Sequence, residues 1–195
     1  MATNVKTVAI LHENSFFGQA GAKNFVKTCE VLGVKVLIKE GYETGAIDFK
    51  PLLVKVKDKN PDLVYMISSI MDGSLLMRQS KELDFNTKLF VGGTAGFTLP
   101  EFQQNAGAAS DYVFSATLWA PSVPYPGAQA YYDKYRTKYN SPTEYHGAEA
   151  YAAMYVIADA LKRAKSLTRE DVRDALAATD MMTVFGPVKF ISYNK

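Results

Sequence analysis

The chain has 195 residues, of which 48% are hydrophobic and 22% are charged, and its net charge is +2. These values are ordinary for a soluble globular protein. Lysine and arginine are dispersed among acidic residues rather than clustered, so we expect no nucleic-acid partner. No apolar run reaches the ~18–20 residues that a membrane-spanning helix needs.

Up to Trp119, short apolar runs alternate with amphipathic stretches. The predicted strands are Val8–Leu11, Val34–Ile38, Leu63–Ile67, Leu89–Val91 and Tyr112–Leu118. The predicted helices are Gln19–Leu32, a second helix capped by Asp48, and Asp72–Leu83. Strand–helix–strand units of ~25–30 residues are typical of right-handed crossovers. The sequence therefore predicts an α/β fold, a wound parallel sheet with helices on both faces.

The pattern changes after Trp119. We predict three helices there and one strand-like run, Val184–Ile191, in which Pro187 indicates an edge strand or a bend. The longest helix, Gly147–Ala164, is apolar almost all round over Tyr151–Leu161, and such a helix must be buried on more than one face. Because no large sheet follows Trp119, we expect a helical segment of an incomplete second lobe.

The loops that follow the predicted strands carry small polar and aromatic residues. In a parallel sheet, ligands bind outside the carboxyl ends of the strands. Hydroxyl groups and the N–H groups of helix N-termini can hold a carboxylate, and aromatic side chains can hold an apolar body. The candidate ligand-binding residues are Asn14, Ser15, Phe16, Phe17, Ser69, Ile70, Thr94, Ala95 and Trp119.

The sequence lacks the motifs of several enzyme classes. It has no nucleophile elbow, no phosphate-binding loop and no dinucleotide fingerprint. His12 and His146 are far apart in sequence, and no group of residues has the spacing of metal ligands. We therefore expect no catalysis, metal or cofactor, and leave one alternative open, an acid/base pair of His12 and Glu13. The single cysteine, Cys29, is expected to be a buried structural thiol.

Six segments carry a family resemblance. They are Val8–Gly18, Gly41–Leu53, Asp62–Gln79, Leu89–Pro100, His146–Leu161 and Phe185–Phe190. In order and spacing they resemble the substrate-binding proteins of branched-chain amino acid ABC transporters, the Leu/Ile/Val-binding proteins of the type I periplasmic-binding fold. The resemblance implies a solute-binding component of an importer, which binds a small amino acid or related carboxylate between two lobes, in the periplasm or outside the cell. A ligand-sensing regulatory or receptor domain of the same fold is the alternative.

The resemblance also implies a domain organisation. Residues 5–118 would form the second, C-terminal lobe, and residues 119–195 a hinge crossover and a partial helical return into the first lobe. The rest of that lobe and any signal peptide would lie outside this sequence. We expect such a fragment to expose apolar surface and to self-associate. The whole protein would close around its ligand at the hinge and dock on a membrane permease.

The resemblance bears on the ligand as well. Phe17-Gly18 matches an aromatic–glycine pair that contacts the ligand in this family, whereas Ser69 and Ile70 stand where an aromatic residue often contributes. Leucine-type members carry an acidic residue after the fourth strand, near Thr94 in this chain, that pairs with the ammonium group of the ligand. A buried ammonium without a carboxylate partner is costly. We therefore hypothesise a ligand without a critical ammonium, such as an aromatic or aliphatic carboxylate.

Overall fold

The structure is a computed structural model that describes residues 4–191. It divides into two compact units, with the boundary between Ala116 and Thr117. Among the described residues, no helix has both the length and the apolar character needed to cross a membrane.

The first unit is a five-stranded parallel sheet in the order β2-β1-β3-β4-β5. Its strands are β1 (Thr7–Glu13), β2 (Lys35–Tyr42), β3 (Leu63–Ile67), β4 (Leu89–Gly92) and β5 (Val113–Ser115). Its helices are α1 (Phe16–Leu32), α2 (Lys50–Asp58), α3 (Ile70–Glu82) and α4 (Pro100–Ala106), with short 3₁₀ turns at Ala95–Thr98 and Gly107–Ala109. The predicted α/β class and the wound parallel sheet are confirmed.

The central strand β1 is buried on both faces. Val8 and Ile10 pack with Ala22 and Cys29 of α1, whereas the alternate residues of β1 pack on the opposite face with α2, α3 and α4. This alternation follows from the two-residue period of a strand. The thiol of Cys29 is buried as predicted, and burial raises its pKa.

Several predicted boundaries in the first unit are wrong. Strand β1 continues through Glu13, and α1 begins at Phe16 instead of Gln19, because the Ser15 hydroxyl caps the helix there. Leu32, the last residue of α1, is 69% exposed, and Gly33 ends the helix in the left-handed region. Helix α4 was not predicted.

Other elements of this unit also differ from their predicted bounds. Strand β2 begins one residue later than expected and continues to Tyr42, helix α3 begins two residues earlier at Ile70, and β5 covers only Val113–Ser115 of the predicted Tyr112–Leu118. Helix α2 begins at Lys50, although the Asp48 side chain does accept a hydrogen bond from the backbone N–H of Lys50.

The second unit contains three helices and a hairpin. They are α5 (Ala128–Tyr139), α6 (Tyr145–Arg163), α7 (Arg169–Ala177) and the antiparallel strands β6 (Asp180–Thr183) and β7 (Gly186–Lys189). The single run predicted at Val184–Ile191 is thus wrong, because residues 184 and 185 form the turn between two short strands. The core of the unit is built on Trp119 and Tyr131.

Helix α6 is buried along one narrow stripe. Its buried residues recur every fourth position and are Ala148, Ala152, Val156 and Ala160. On other sides the helix exposes large apolar side chains, with Met154 64%, Ile157 44% and Leu161 43% exposed. The described part of this unit therefore does not cover all the apolar faces that the sequence gives α6.

Candidate functional site

The carboxyl ends of strands β1, β3 and β4 lie side by side in the sheet, since β3 pairs with β1 on one side and with β4 on the other. Eight of the nine candidate residues stand in the loops and helix starts at this edge. They are Asn14, Ser15, Phe16, Phe17, Ser69, Ile70, Thr94 and Ala95. The side chain of Ala95 lies outside the described part of the structure. The fold therefore brings these eight positions together, and their role in binding stays a prediction.

The loop after β1 is fixed by hydrogen bonds of its own residues. The backbone N–H of Asn14 donates to the carbonyl oxygen of Tyr42 at 2.8 Å, and its side-chain amide donates to Glu43 Oε1 at 2.9 Å. The hydroxyl of Ser15 accepts from the backbone N–H of Gly18 at 2.9 Å and donates to Glu13 Oε1 at 2.6 Å. Ser15 thus caps the first turn of α1 and anchors that turn to the end of β1.

Two aromatic side chains open α1 on the surface of this edge. Phe16 is 91% exposed and Phe17 is 62% exposed. The next residue has to be glycine, because a Cβ at Gly18 would lie 2.2 Å from the carbonyl oxygen of Glu13. The exposed rings offer apolar contact area to a ligand, as expected for a site that holds an apolar body.

The loops after β3 and β4 are joined directly. The hydroxyl of Thr94 donates to the carbonyl oxygen of Ser68 at 2.7 Å, and the side chain of Ile70 packs against Gly96, where a Cβ would lie 2.8 Å from Ile70 Cγ1. Ser69 caps α3 by accepting from the backbone N–H of Asp72 at 3.3 Å. The starts of α1 and α3 are therefore both capped by serine at the same edge of the sheet, where their first N–H groups point outward.

The ninth candidate, Trp119, belongs to the second unit. Its side chain is only 3% exposed, its indole N–H donates to the carbonyl oxygen of Val184 at 2.8 Å, and its ring packs edge-on against Tyr131. In the described structure Trp119 is thus a core residue of its unit, and a ligand contact by this residue stays a prediction.

Sequence reasoning missed a polar cluster beneath this edge. Burial raises the pKa of Tyr42, and the carboxylates of Asp72 and Glu13 raise it further. Asp72 is 3% exposed and accepts from the backbone N–H of Gly45 at 3.2 Å. The buried hydroxyl groups of Tyr42 and Ser68 form no well-aligned hydrogen bond with a described residue, but they are close enough for Ser68 to lower the pKa of Tyr42 against these effects. The available signal was the Glu13 carboxylate, which ends β1 two residues after its apolar run.

His12 and Glu13 do not form the hydrogen-bonded pair that an acid/base mechanism would use. The ring Nδ1 of His12 lies 3.0 Å from the backbone carbonyl oxygen of Glu13, and the Glu13 carboxylate instead accepts from Ser15. As neighbours on a strand, the two side chains point to opposite faces of the sheet. Among the described residues there is no group of three or more residues that could hold a metal ion.

The chain is similar to proteins of known function. The family model described as periplasmic binding protein matches residues 1–195. A leucine-, isoleucine-, valine-, threonine- and alanine-binding protein from Pseudomonas aeruginosa is 31% identical over 185 residues, which are 95% of this chain and 49% of that protein. A Leu/Ile/Val-binding protein homolog from Brucella abortus is 26% identical over 182 residues, which are 89% of this chain and 44% of that protein. The chain thus spans about half the length of the curated relatives it matches.

Solved structures share the fold. The substrate-binding protein of a branched-chain amino acid transporter from Streptococcus pneumoniae, solved with isoleucine, is 26% identical and superposes with a TM-score of 0.86 over 98% of this chain and 54% of that one. A solute-binding protein of an ABC transporter from R. palustris, solved with benzoate, has a TM-score of 0.82 over 95% of this chain and 51% of its own, at 17% identity.

Proposed function

Because this chain belongs to the periplasmic binding protein family, we propose that it contributes one ligand-binding lobe to the solute-binding protein of an ABC importer. The proteins of this family bind substrates and are not enzymes. The observation that carries the proposal is the convergence of eight candidate positions, six of them polar or aromatic, at the carboxyl edge of the parallel sheet. In wound α/β sheets this edge is where ligands bind.

We assign residues 5–118 to the second lobe and residues 119–195 to the hinge crossover and the return toward the first lobe. A ligand held between two lobes is bound more tightly when both contact it, so binding favours the closed form. The closed form would dock on a membrane permease, in the periplasm or outside the cell.

The ligand we propose is a small carboxylate, either an amino acid or a related acid. The first N–H groups of α1 and α3 and the hydroxyl of Ser69 supply hydrogen bonds and a favourable dipole for a carboxylate. Phe16, Phe17 and Ile70 supply apolar contacts for its body.

Within this class we favour an acid without an ammonium group. Neither Thr94 nor Ala95 can pair with an ammonium at the position after β4. Three carboxylates near this edge are already engaged, since Glu13 accepts from Ser15, Glu43 from Asn14 and Asp72 from the backbone of Gly45. The relatives that bind amino acids support the alternative, an amino acid ligand such as leucine.

Titration of the chain with phenylacetate and with leucine, followed by ¹⁵N NMR, tests both parts of the proposal. We expect phenylacetate to shift the amide signals of Ser15, Ser69 and Thr94 and leucine to shift them less. The variant Thr94→Glu restores a carboxylate after β4 and should reverse this order. Shifts by leucine alone in the unchanged chain would refute the ligand class, and no shift at this edge with either probe would refute the site.

A further inference from the structure

A wide groove of about 800 Å³ lies between the first three turns of α1 and the end of strand β2. It is lined by His12, Asn14, Gln19, Lys23, Lys39 and Gly41, with Phe16 at its mouth. In the register of β1 and β2, His12 stands opposite Gly41 and Ile10 opposite Lys39, on the sheet face that α1 covers. We name this the α1–β2 groove. It shares Asn14 and Phe16 with the candidate ligand site, and its other residues had no proposed role.

His12 is the buried polar residue of this groove. Its side chain is only 7% exposed, and Nδ1 lies 3.0 Å from the carbonyl oxygen of Glu13. A carbonyl oxygen can only accept, so Nδ1 carries the proton and Nε2 of the neutral ring holds a lone pair. No described residue hydrogen-bonds to Nε2. Nε2 is not among the fully buried side-chain atoms that lack a partner in the described residues, so it is open to accept a hydrogen bond from a ligand in the groove.

The floor of the groove is shaped so that His12 and Asn14 can occupy it. A Cβ at position 41 would lie 2.2 Å from Asn14 Oδ1 and 2.9 Å from His12 Cε1, so only glycine at this position leaves room for both side chains. Asn14 is held by its bond to Glu43 Oε1, and the side-chain amide of Gln19 donates to the carbonyl oxygen of Asn14 at 3.2 Å. Asn14 is therefore held from two sides, by Glu43 after β2 and by Gln19 of α1.

The charge of the groove is positive. Lys23 and Lys39 line it, and neither forms an ion pair with a described residue. No acidic side chain is among the described residues that line the groove, and Glu43, which lies beside it, accepts a hydrogen bond from Asn14. Two unpaired ammonium groups favour an anionic ligand with oxygen acceptors.

We propose that the α1–β2 groove binds a small oxyanion that also carries a hydroxyl group, of which hydrogen phosphate is the simplest. The anionic oxygens accept from the ammonium groups of Lys23 and Lys39, and the hydroxyl donates to Nε2 of His12. This site adjoins the carboxylate site of the proposed function, with which it shares Asn14 and Phe16, but the groups that hold the anion, Lys23, Lys39 and His12, are not part of that site.

A comparison of phosphate with sulfate tests whether the ligand must donate a hydrogen bond to His12. At pH 8 and equal ionic strength both are dianions of similar size, but only hydrogen phosphate has a hydroxyl to donate. In calorimetric titration of the chain, we expect saturable binding of inorganic phosphate at least about tenfold tighter than that of sulfate. His12→Phe should abolish the preference, and the ring ¹⁵N signal of His12 should shift on addition of phosphate.

The lysines provide a matched control, because α1 and β2 each carry another exposed lysine outside the groove. The double variant Lys23→Gln/Lys39→Gln should weaken phosphate binding at least about tenfold, whereas Lys27→Gln/Lys35→Gln, with the same net charge, should bind as the unchanged chain does. These exposed positions keep the test decisive if His12→Phe fails to fold. Equal binding of the two anions, equal loss in the two lysine variants, or an absence of saturable phosphate binding would overturn the proposal.

Discussion

The indole N–H of Trp119 donates a 2.8 Å hydrogen bond to the carbonyl oxygen of Val184, a residue 65 positions later in the chain. The bond ties the segment that enters the second unit to the turn of the β6–β7 hairpin. Tyr131 packs edge-on against the same indole. One side chain therefore joins the entry segment, helix α5 and the hairpin into a single core.

Replacement of this side chain should destabilise the second unit. Trp119→Phe removes the indole N–H, leaves the carbonyl oxygen of Val184 without its hydrogen bond and opens a small cavity. We therefore expect the free energy of unfolding to fall by about 2–3 kcal/mol. Urea unfolding followed by circular dichroism measures this loss. Tryptophan fluorescence cannot be used, because Trp119 is the single tryptophan of the chain. Tyr112→Phe, at a side chain 88% exposed, is the control and should change little. Equal midpoints for both variants would contradict the assignment of Trp119 to the core.

Two glycines of α1 should respond in different ways to alanine. At Gly18 the new Cβ would lie 2.2 Å from the backbone oxygen of Glu13, and the backbone cannot move aside without displacing the start of α1. We expect Gly18→Ala to cost more than about 2 kcal/mol. At Gly21 the nearest atom is the side-chain Cδ1 of Ile67 at 3.3 Å, and alanine favours the helix by about 1 kcal/mol.

Gly21→Ala is therefore the matched control, and its free energy of unfolding should stay within about 1 kcal/mol of the unchanged chain. Thermal unfolding of both variants gives the comparison. A Gly18→Ala protein as stable as Gly21→Ala would show that the close approach of β1 and α1 is not required.

The amino-terminal edge of the sheet depends on one ionised carboxylate. Asp62 forms a 2.6 Å ion pair with Lys88 and accepts from the backbone N–H groups of Lys6 at 2.8 Å and Thr7 at 3.0 Å. Lys88 first, and then these N–H donors, hold the pKa of Asp62 well below its usual range. A depressed pKa means that the stabilisation is complete above the pKa of the unfolded state and is lost as the pH falls.

We therefore expect Asp62→Asn to lower the melting temperature at pH 7 and the difference from the unchanged chain to shrink below about pH 4. Melting curves between pH 2 and pH 7 test this. Asp180→Asn, which breaks the exposed pair with Lys189, is the control and should have a smaller effect at pH 7. A difference that grows as the pH falls would refute the role given to Asp62.

The sheet could be predicted from sequence because its strands leave a strong local signal. Val8–Leu11 and Leu63–Ile67 are short apolar runs, as expected for strands covered on both faces. Strand β6 was missed because Asp180–Thr183 is short and half-exposed and has no such run. In the candidate site, the loops could be placed at one edge from the βαβ pattern alone.

The orientation of single side chains in the site could not be predicted, because it depends on contacts between distant segments. His12 was read as a possible partner of Glu13, yet its ring is positioned by the bare backbone of Gly41 on β2. Tyr42 and Asp72 gave no local signal of the cluster that they form beneath the edge of the sheet. Such contacts arise only once the strand order and register are fixed.

Helix α6 provides the last prediction, which concerns association of the chain with itself. Met154, Ile157 and Leu161 recur at helical spacing and are 64%, 44% and 43% exposed. An apolar stripe of this kind drives association in water. We expect light scattering to give a mass that rises with protein concentration, and Met154→Glu/Ile157→Glu to return the chain to a monomer, because two charges on the stripe oppose its burial.

The control for this variant is Leu167→Glu, which adds a carboxylate at an apolar side chain 80% exposed in the loop before α7. Leu167 stands outside the α6 stripe, so its replacement should leave the concentration dependence unchanged. If Leu167→Glu suppressed association as strongly as the α6 variant, net charge rather than the stripe would be the cause. A constant monomer mass for the unchanged chain would show that the exposed face of α6 does not associate.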